Sequence, residues 1–563
     1  MGCVVLAFLV LTLVFTWPLG ARLTTSLCGP PGDNYYFAWL VGWYEKALFG
    51  LHRLPLSVPQ LNFPQGWSLA QNEATPAMVA IALPLSVLDG PVLGYNVALF
   101  VTFVLSGLGV YLWVLRLTRS RAAGLVAGVL FAFCAYRFRQ PGHLNLMGTQ
   151  WLALWFMSLH DVIRGPVRTK GIALAALFLG LIALTSLYYL YMTLLLSVVF
   201  VALYVWPDRH AWPNGLWRRL ALVGLAALPL LALALAPSLM LVRQGGLQPR
   251  ALDDASFWSA SPTDFLFPPP SHLILGAWGA LNYDRVLSWE STIYVGLVAL
   301  LLAGVAIAPR GCLSRKRLVQ CLARTALVAV VLALGTDLHW RHQPVTVPAP
   351  ALLQRWFPSG RAPIPLPGYL LFRFLPLYAQ MRVWMRYGIL VNLFVSVLAG
   401  VGLAWLLQRV GRRWARIVAV VALALALVDL YPGLMQLSRI SGRPVDDWLA
   451  DQPGQGAVVQ FPLDQCTLPT FTYYTLVHGK PFVGGFFAAG WPEQWRRIQP
   501  VLLGFPDQAS LELLRGLHVQ WICVDTRRFL AARRATMEAL GLRLAYDSGG
   551  QSVWELRKEV GPK

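Results

Sequence analysis

Residues 92–115 read VLGYNVALFVTFVLSGLGVYLWVL and contain no Asp, Glu, Lys or Arg. A helix needs about 20 apolar residues, with a range of about 17 to 25, to cross a bilayer. Uncharged runs of similar kind occupy Cys3–Leu19, Leu220–Leu241, Ser291–Ala308 and Tyr387–Leu407. The chain of 563 residues is 57% hydrophobic and only 13% charged. Soluble proteins carry about 25% charged residues. A polytopic membrane protein follows from these runs.

The formal charge of +21 does not mark a nucleic-acid binder, because the basic residues form short groups between the apolar runs. Those groups are Arg116/Arg119/Arg121, Arg164/Arg168/Lys170, Arg209/Arg218/Arg219, Arg310/Arg315/Lys316/Arg317 and Arg409/Arg412/Arg413/Arg416. Cytoplasmic loops carry such an excess of Lys and Arg. Placing each group in the cytoplasm predicts about eleven spans, at 3–19, 94–115, 122–136, 146–163, 171–186, 188–206, 219–242, 291–308, 322–337, 386–408 and 414–431. The N-terminus is then cytoplasmic and the C-terminus outside. The first run resembles a signal peptide near PLGA, but the many spans that follow favour an uncleaved helix. Ala77–Leu88 is short, holds Pro84 and ends in Asp89-Gly90-Pro91, which suits a re-entrant or interfacial helix.

The expected fold is thus mainly α: a transmembrane helical bundle over 1–436 with long outer loops 20–93, 243–290 and 338–385. Aromatic residues in the first loop and in FLFPPPSHLILGAWGALNY (265–283) point to ordered interfacial segments. Charges return in 437–563, for which we expect a small extracytoplasmic α/β domain. GAVVQFPL (456–463) and HVQWICVD (518–525) read as buried strands. PDQASLELLRGL (506–517) and TRRFLAARRATMEAL (526–540) read as helices, and LRLAYDSGGQSVWELR (542–557) as a hairpin. The seven cysteines are scattered, with no C-x-x-C pair, which argues against a metal cluster or disulfide framework; Cys466 and Cys523 are the one pairing to consider.

No expected span interior carries an acidic or basic residue, which weighs against an ion-coupled transporter. No G-x-x-x-x-G-K-[ST], G-x-G-x-x-G after a strand, or H-E-x-x-H motif is present. Chemistry on the outer face therefore needs an activated substrate delivered through the membrane, and a lipid-linked donor meets that need.

CGPPGDNYYFAWLVGWYEKALFG (28–50) places Asp33 after Pro-Pro-Gly at the start of an aromatic helix, beside Tyr35 and Tyr36. A carboxylate there can take a proton from an acceptor hydroxyl, or it can simply cap the helix. YRFRQPGHLNLMGTQW (136–151) offers Arg137, Arg139 and His143. Arginine binds phosphate through paired N–H donors, and it also snorkels to lipid headgroups. Arg373, Arg382 and Arg386 form a similar group. Glu73 and Glu290 are second acids or helix caps. Tyr188, Tyr189 and Tyr191 suit an aromatic belt, and His478 and Trp491 stand too isolated for a role.

One inside-facing span, a long outer loop with an early acid, interfacial helices, paired spans and an outer C-terminal domain together resemble the GT-C glycosyltransferases. That superfamily includes the protein O-mannosyltransferases and the lipid A aminoarabinose transferases. GDNYYFAWLVGWYEKAL (32–48), NFPQGWSLAQNEATP (62–76), residues 120–156 and HGKPFVGGF (478–486) resemble a group of bacterial membrane proteins described as glycosyltransferase-like. The resemblance implies a plasma-membrane enzyme, in the inner membrane of a bacterium, that uses a polyprenyl-phosphate sugar donor. In that superfamily an acid of the first outer loop is the base, and Asp33 matches it. Arg137, Arg139, His143, Arg382 and Arg386 are then the donor-phosphate candidates, with Glu73, Glu290 and Tyr35 secondary. Many such enzymes carry paired acids, whereas Asn34 follows Asp33 here, so a divalent metal is doubtful and no cofactor is expected. The reading that results is inverting sugar transfer to a glycan, lipid or protein acceptor on the outer face. A lipid-intermediate flippase and a non-catalytic membrane scaffold are the alternatives.

Overall fold

The computed structural model describes residues 1–165, 168–208, 214–243, 250–308, 316–349, 355, 359–464, 467–487, 490–529 and 532–556. Arg209, Arg310, Arg315, Cys312 and Cys466 lie outside the described residues, and with them the choice between a Cys466–Cys523 pairing and the favoured free thiols, and parts of two basic groups. The chain forms two compact units. One comprises 1–17, 99–141 and 145–435, and the other 18–98, 142–144 and 436–563. The C-terminal stretch from Gln436 thus shares a unit with residues 18–98.

The first unit is helical. Among the described residues, five helices are long and apolar enough to cross a membrane: Pro76–Thr118, Arg121–Arg139, Leu187–Val205, Leu216–Arg243 and Trp384–Arg409. Shorter apolar helices occupy Gly2–Phe15, Thr169–Thr185 and Leu297–Ile307. Helices Gln150–Arg164, Lys316–Ala333 and Arg412–Leu430 also lie in this unit. Gly388–Arg409 is the centre of this unit, buried from Gly388 through Ala404. Its small residues permit that depth. A Cβ on Gly400 would meet Ala127 and Val114 at 2.8 Å, and one on Gly402 would collide with the Leu302 carbonyl. Close approach at glycine is how apolar helices pack where no hydrophobic drive separates lipid from protein.

Pro76–Thr118 is not one straight rod. Asp89 (φ −150°, ψ 37°) and Gly90 (φ 82°, ψ 169°) leave helical geometry. A Cβ on Gly94 would meet the Ala82 carbonyl oxygen at 2.6 Å. Twelve residues of continuous helix rise about 18 Å, so this contact requires the chain to fold back at Asp89-Gly90. The short stretch Ala77–Leu88 is therefore the first arm of a tight helical hairpin.

In the second unit the aromatic helix Asp33–Glu45 is buried from Asn34 through Tyr44. It packs on Leu468–His478, where a Cβ on Gly42 would meet Leu476 at 2.6 Å. Strand Ser26–Cys28 pairs antiparallel with Leu437–Arg439. A four-stranded sheet runs in the order Arg543–Ser548, Gln551–Glu555, Val519–Asp525, Ala457–Phe461, with only the last pair parallel. The predicted hairpin turns through Gly549 and Gly550, both at positive φ, as a two-residue turn of this kind demands. Asp507 opens helix Gln508–Gly516 by accepting from Ser510 N at 2.7 Å. Helices Pro444–Asp451, Leu468–His478 and Glu493–Leu502 were not expected from the sequence.

Candidate active site

In the second unit, Asp33 is the first residue of its helix, and the cap position is Gly32 with no side-chain cap. The local fastening falls to Asn34. Its Oδ1 accepts from Gly32 N at 2.9 Å, and its Nδ2 donates to the Cys28 carbonyl at 2.7 Å. The side chain is 1% exposed. An ionised acid at 34 would set an oxygen against the Cys28 carbonyl where a donor is required, so the missing second acid has a structural cause.

The Asp33 carboxylate is one-third exposed and meets Nε2 of His143 through Oδ2. His143 reaches it from the turn that begins at Gly142, which lies over the start of the same helix; a Cβ on Gly142 would be 3.7 Å from Asn34 N. Nε2–H donates in this contact. The other ring nitrogen, Nδ1, is buried and makes no hydrogen bond among the described residues.

Tyr36 lies one turn on and is 1% exposed. Burial raises its hydroxyl well above the usual tyrosine range; the approach of the Asn72 side chain opposes this, and the carboxylates of Glu73 and Asp33 push it further up. It therefore stays a neutral donor. Tyr35, by contrast, donates to the Arg439 carbonyl at 3.3 Å and packs edge-on against Tyr473, so it ties the helix to strand Leu437–Arg439. Glu73 is partly buried.

The arginine candidates lie in the first unit. Arg137 is 0% exposed, and its guanidinium serves the protein itself. It donates to the Ala132 carbonyl at 3.1 Å, Thr102 Oγ1 at 2.7 Å and the Met147 carbonyl at 3.3 Å, above the Phe103 ring. Arg386 is also buried and forks onto Glu290, with Nη2 to Oε1 at 2.5 Å and Nε to Oε2 at 3.2 Å. Gln140 donates to the same carboxylate at 3.0 Å, and Arg386 lies over the Tyr188 ring. Glu290 is thus the buried counter-ion of Arg386. Arg139 stacks on Trp289 and Arg382 on Trp258, and neither has a carboxylate partner among the described residues. Arg373 is exposed on helix Pro367–Phe374. Among the described residues no three His, Cys, Asp or Glu side chains are arranged to hold a metal ion.

Sequence reasoning passed over Asn72, Trp67 and Gln140, although the quoted segments contain them. Polar residues inside aromatic stretches were the available signal.

The family described as "Domain of unknown function (DUF6311)" matches residues 4–398. No curated protein matches the chain. Among solved structures, the arabinofuranosyltransferase AftD from Mycobacteria superposes with a TM-score of 0.59 at 16% identity, covering 99% of this chain. The chain spans only 40% of that protein's length. The oligosaccharyltransferase of Archaeoglobus fulgidus gives 0.54 at 12% identity, with 93% and 69% covered. ArnT from Cupriavidus metallidurans gives 0.50 at 13% identity, with 100% and 98% covered. The chain is a membrane protein with the GT-C glycosyltransferase fold.

Proposed function

We propose that this chain, which belongs to the DUF6311 family, moves a sugar from a polyprenyl-phosphate-linked donor to an acceptor on the non-cytoplasmic face of the plasma membrane, with inversion. Asp33 is the base in this reading. The observation that carries it is the state of that carboxylate: at the head of a buried helix, one-third exposed and oriented by His143. A base needs this combination of fixed position and open access. The helix N-terminus also favours the ionised form that accepts the proton.

The fold likeness supports the same chemistry. An archaeal oligosaccharyltransferase of this fold has been solved with a dolichol-phosphate, at a TM-score of 0.50. We assign the donor phosphate to Arg139 and Arg382, whose guanidinium groups lie against tryptophan rings and carry no carboxylate partner among the described residues. As the sugar leaves, charge grows on the phosphate, and fixed cations stabilise it most in the transition state. Arg137 and Arg386 are engaged inside the first unit, the latter by Glu290. The acceptor oxygen attacks the anomeric carbon, its proton passes to Asp33, and the bond from that carbon to the phosphate oxygen breaks. Attack opposite the leaving group inverts the centre, as in inverting glycosidases with an acceptor in place of water.

Purified protein given a polyprenyl-phosphate sugar of known anomeric configuration is expected to form a glycoside of the opposite configuration, read by NMR. A product of retained configuration overturns the single-displacement mechanism.

A further inference from the structure

Beside Asp33 the second unit holds an aromatic cluster with buried polar edges that make no hydrogen bond among the described residues. Tyr36 meets Trp67 edge-on with centroids 6.4 Å apart and Phe486 at 5.4 Å, while Trp67 meets Phe487 edge-on at 5.4 Å. Tyr36 is 1% exposed and Trp67 5%. Yet Tyr36 Oη, Trp67 Nε1 and Asn72 Nδ2 are all buried without a hydrogen bond among the described residues. Asn72 approaches the Tyr36 hydroxyl, but neither completes a bond. A buried donor left unmet is costly. Three in one aromatic cluster beside the candidate base call for a reason.

The carboxylates supply the complementary half. Asp33 opens the same helix one turn before Tyr36, and both Asp33 and Glu73 act electrostatically on the Tyr36 hydroxyl. A hydroxyl is the group that satisfies both kinds at once, since its oxygen accepts while its proton donates. A lipid tail leaves every donor unmet, and one serine or threonine side chain satisfies a single pair. A sugar ring brings several hydroxyls around a C–H-rich face, and that face suits aromatic walls.

We propose that Tyr36, Trp67, Asn72, Phe486 and Phe487 form a saccharide-binding subsite, and that the acceptor is therefore a glycan. The word acceptor rests on the sugar-transfer reading; the saccharide site does not. In it one ring hydroxyl accepts from Tyr36 Oη–H or Asn72 Nδ2–H and turns its proton toward Asp33. Trp67 Nε1–H takes a second hydroxyl.

The test is binding without donor, so that its failure is separable from failure of catalysis. Full-length protein in nanodiscs is probed by saturation-transfer NMR with methyl hexopyranosides, methyl pentofuranosides and short trisaccharides. Tyr36→Phe and Trp67→Phe each keep a ring and remove one donor. At least one saccharide is expected to bind wild type, and each variant to weaken it by about threefold to tenfold, the worth of a hydrogen bond. Melting temperatures check that both variants fold, and either variant alone suffices. No binding by wild type, equal binding by the variants, or binding of a Ser/Thr peptide in place of sugars overturns the proposal. Binding by wild type alongside transfer that ignores Asp33 leaves the site standing and removes the mechanism.

Discussion

His143 Nε2 stands against Asp33 Oδ2, from a turn that also covers the start of the Asp33 helix. The imidazole holds the carboxylate in one orientation while a third of it remains exposed. This is the geometry of a base steered by a neighbour, and position matters steeply in such sites. A misplacement of about 1 Å costs on the order of a hundredfold in rate.

His143→Ala is therefore expected to lower kcat by about tenfold to a hundredfold. His143→Gln, which keeps an N–H donor, should retain more activity than the alanine variant. Donor binding, measured by competition with free polyprenyl phosphate, should be unchanged in both. Loss of donor binding would return His143 to the phosphate ligands.

Asn34→Asp supplies the paired acid that many GT-C enzymes carry, and it is expected to harm this one. The Nδ2 bond to the Cys28 carbonyl disappears and a buried charge takes its place. A loss of about 1–3 kcal/mol or more is predicted, seen as a lower melting temperature with no gain in activity. A variant of unchanged stability would contradict the role given to Asn34.

Glu290 and Arg386 test the frame. Removing one member of a buried pair costs about 3–5 kcal/mol, because the other charge is stranded, while replacing both with apolar residues costs far less. Glu290→Gln and Arg386→Met should each melt earlier than the double variant Glu290→Leu/Arg386→Met. Additive losses would exclude the coupling.

His478 predicts an acid limit. It is buried beside Arg443, Lys46 and Lys480, and burial first, then those charges, lower its pKa to about 3. The folded state binds fewer protons than the unfolded chain between about pH 6.5 and 3. Stability is thus fully present above about pH 6.5 and falls as pH drops through that window. At pH 5 the loss is about 2 kcal/mol. His478→Gln should flatten the dependence of melting temperature on pH between 5 and 7; an unchanged slope would place the titrating group elsewhere.

Much of this fold was legible because it rests on local signals. Uncharged apolar runs marked the helix positions, and Asp-Ser-Gly-Gly marked the turn at Gly549 and Gly550. What the sequence hid is long-range pairing. Three-residue strands at Ser26–Cys28 and Leu437–Arg439 carry no periodicity, so the link between the first outer loop and the C-terminal stretch had no signature. Asp33 was legible as a candidate, but His143 read as a phosphate ligand, since its partner lies far upstream. Arg137 and Glu290 were visible as charges near span ends; the carbonyls and the guanidinium that engage them were not.

The most direct test of the account compares wild type with Asp33→Asn in transfer of labelled sugar from a polyprenyl-phosphate donor. Asparagine keeps the size of the side chain and cannot take the proton. A general base contributes about a hundredfold to ten-thousandfold, and a fall in turnover of that order with donor binding intact is predicted. Equal turnover by the two proteins would contradict the assignment of Asp33 as the base.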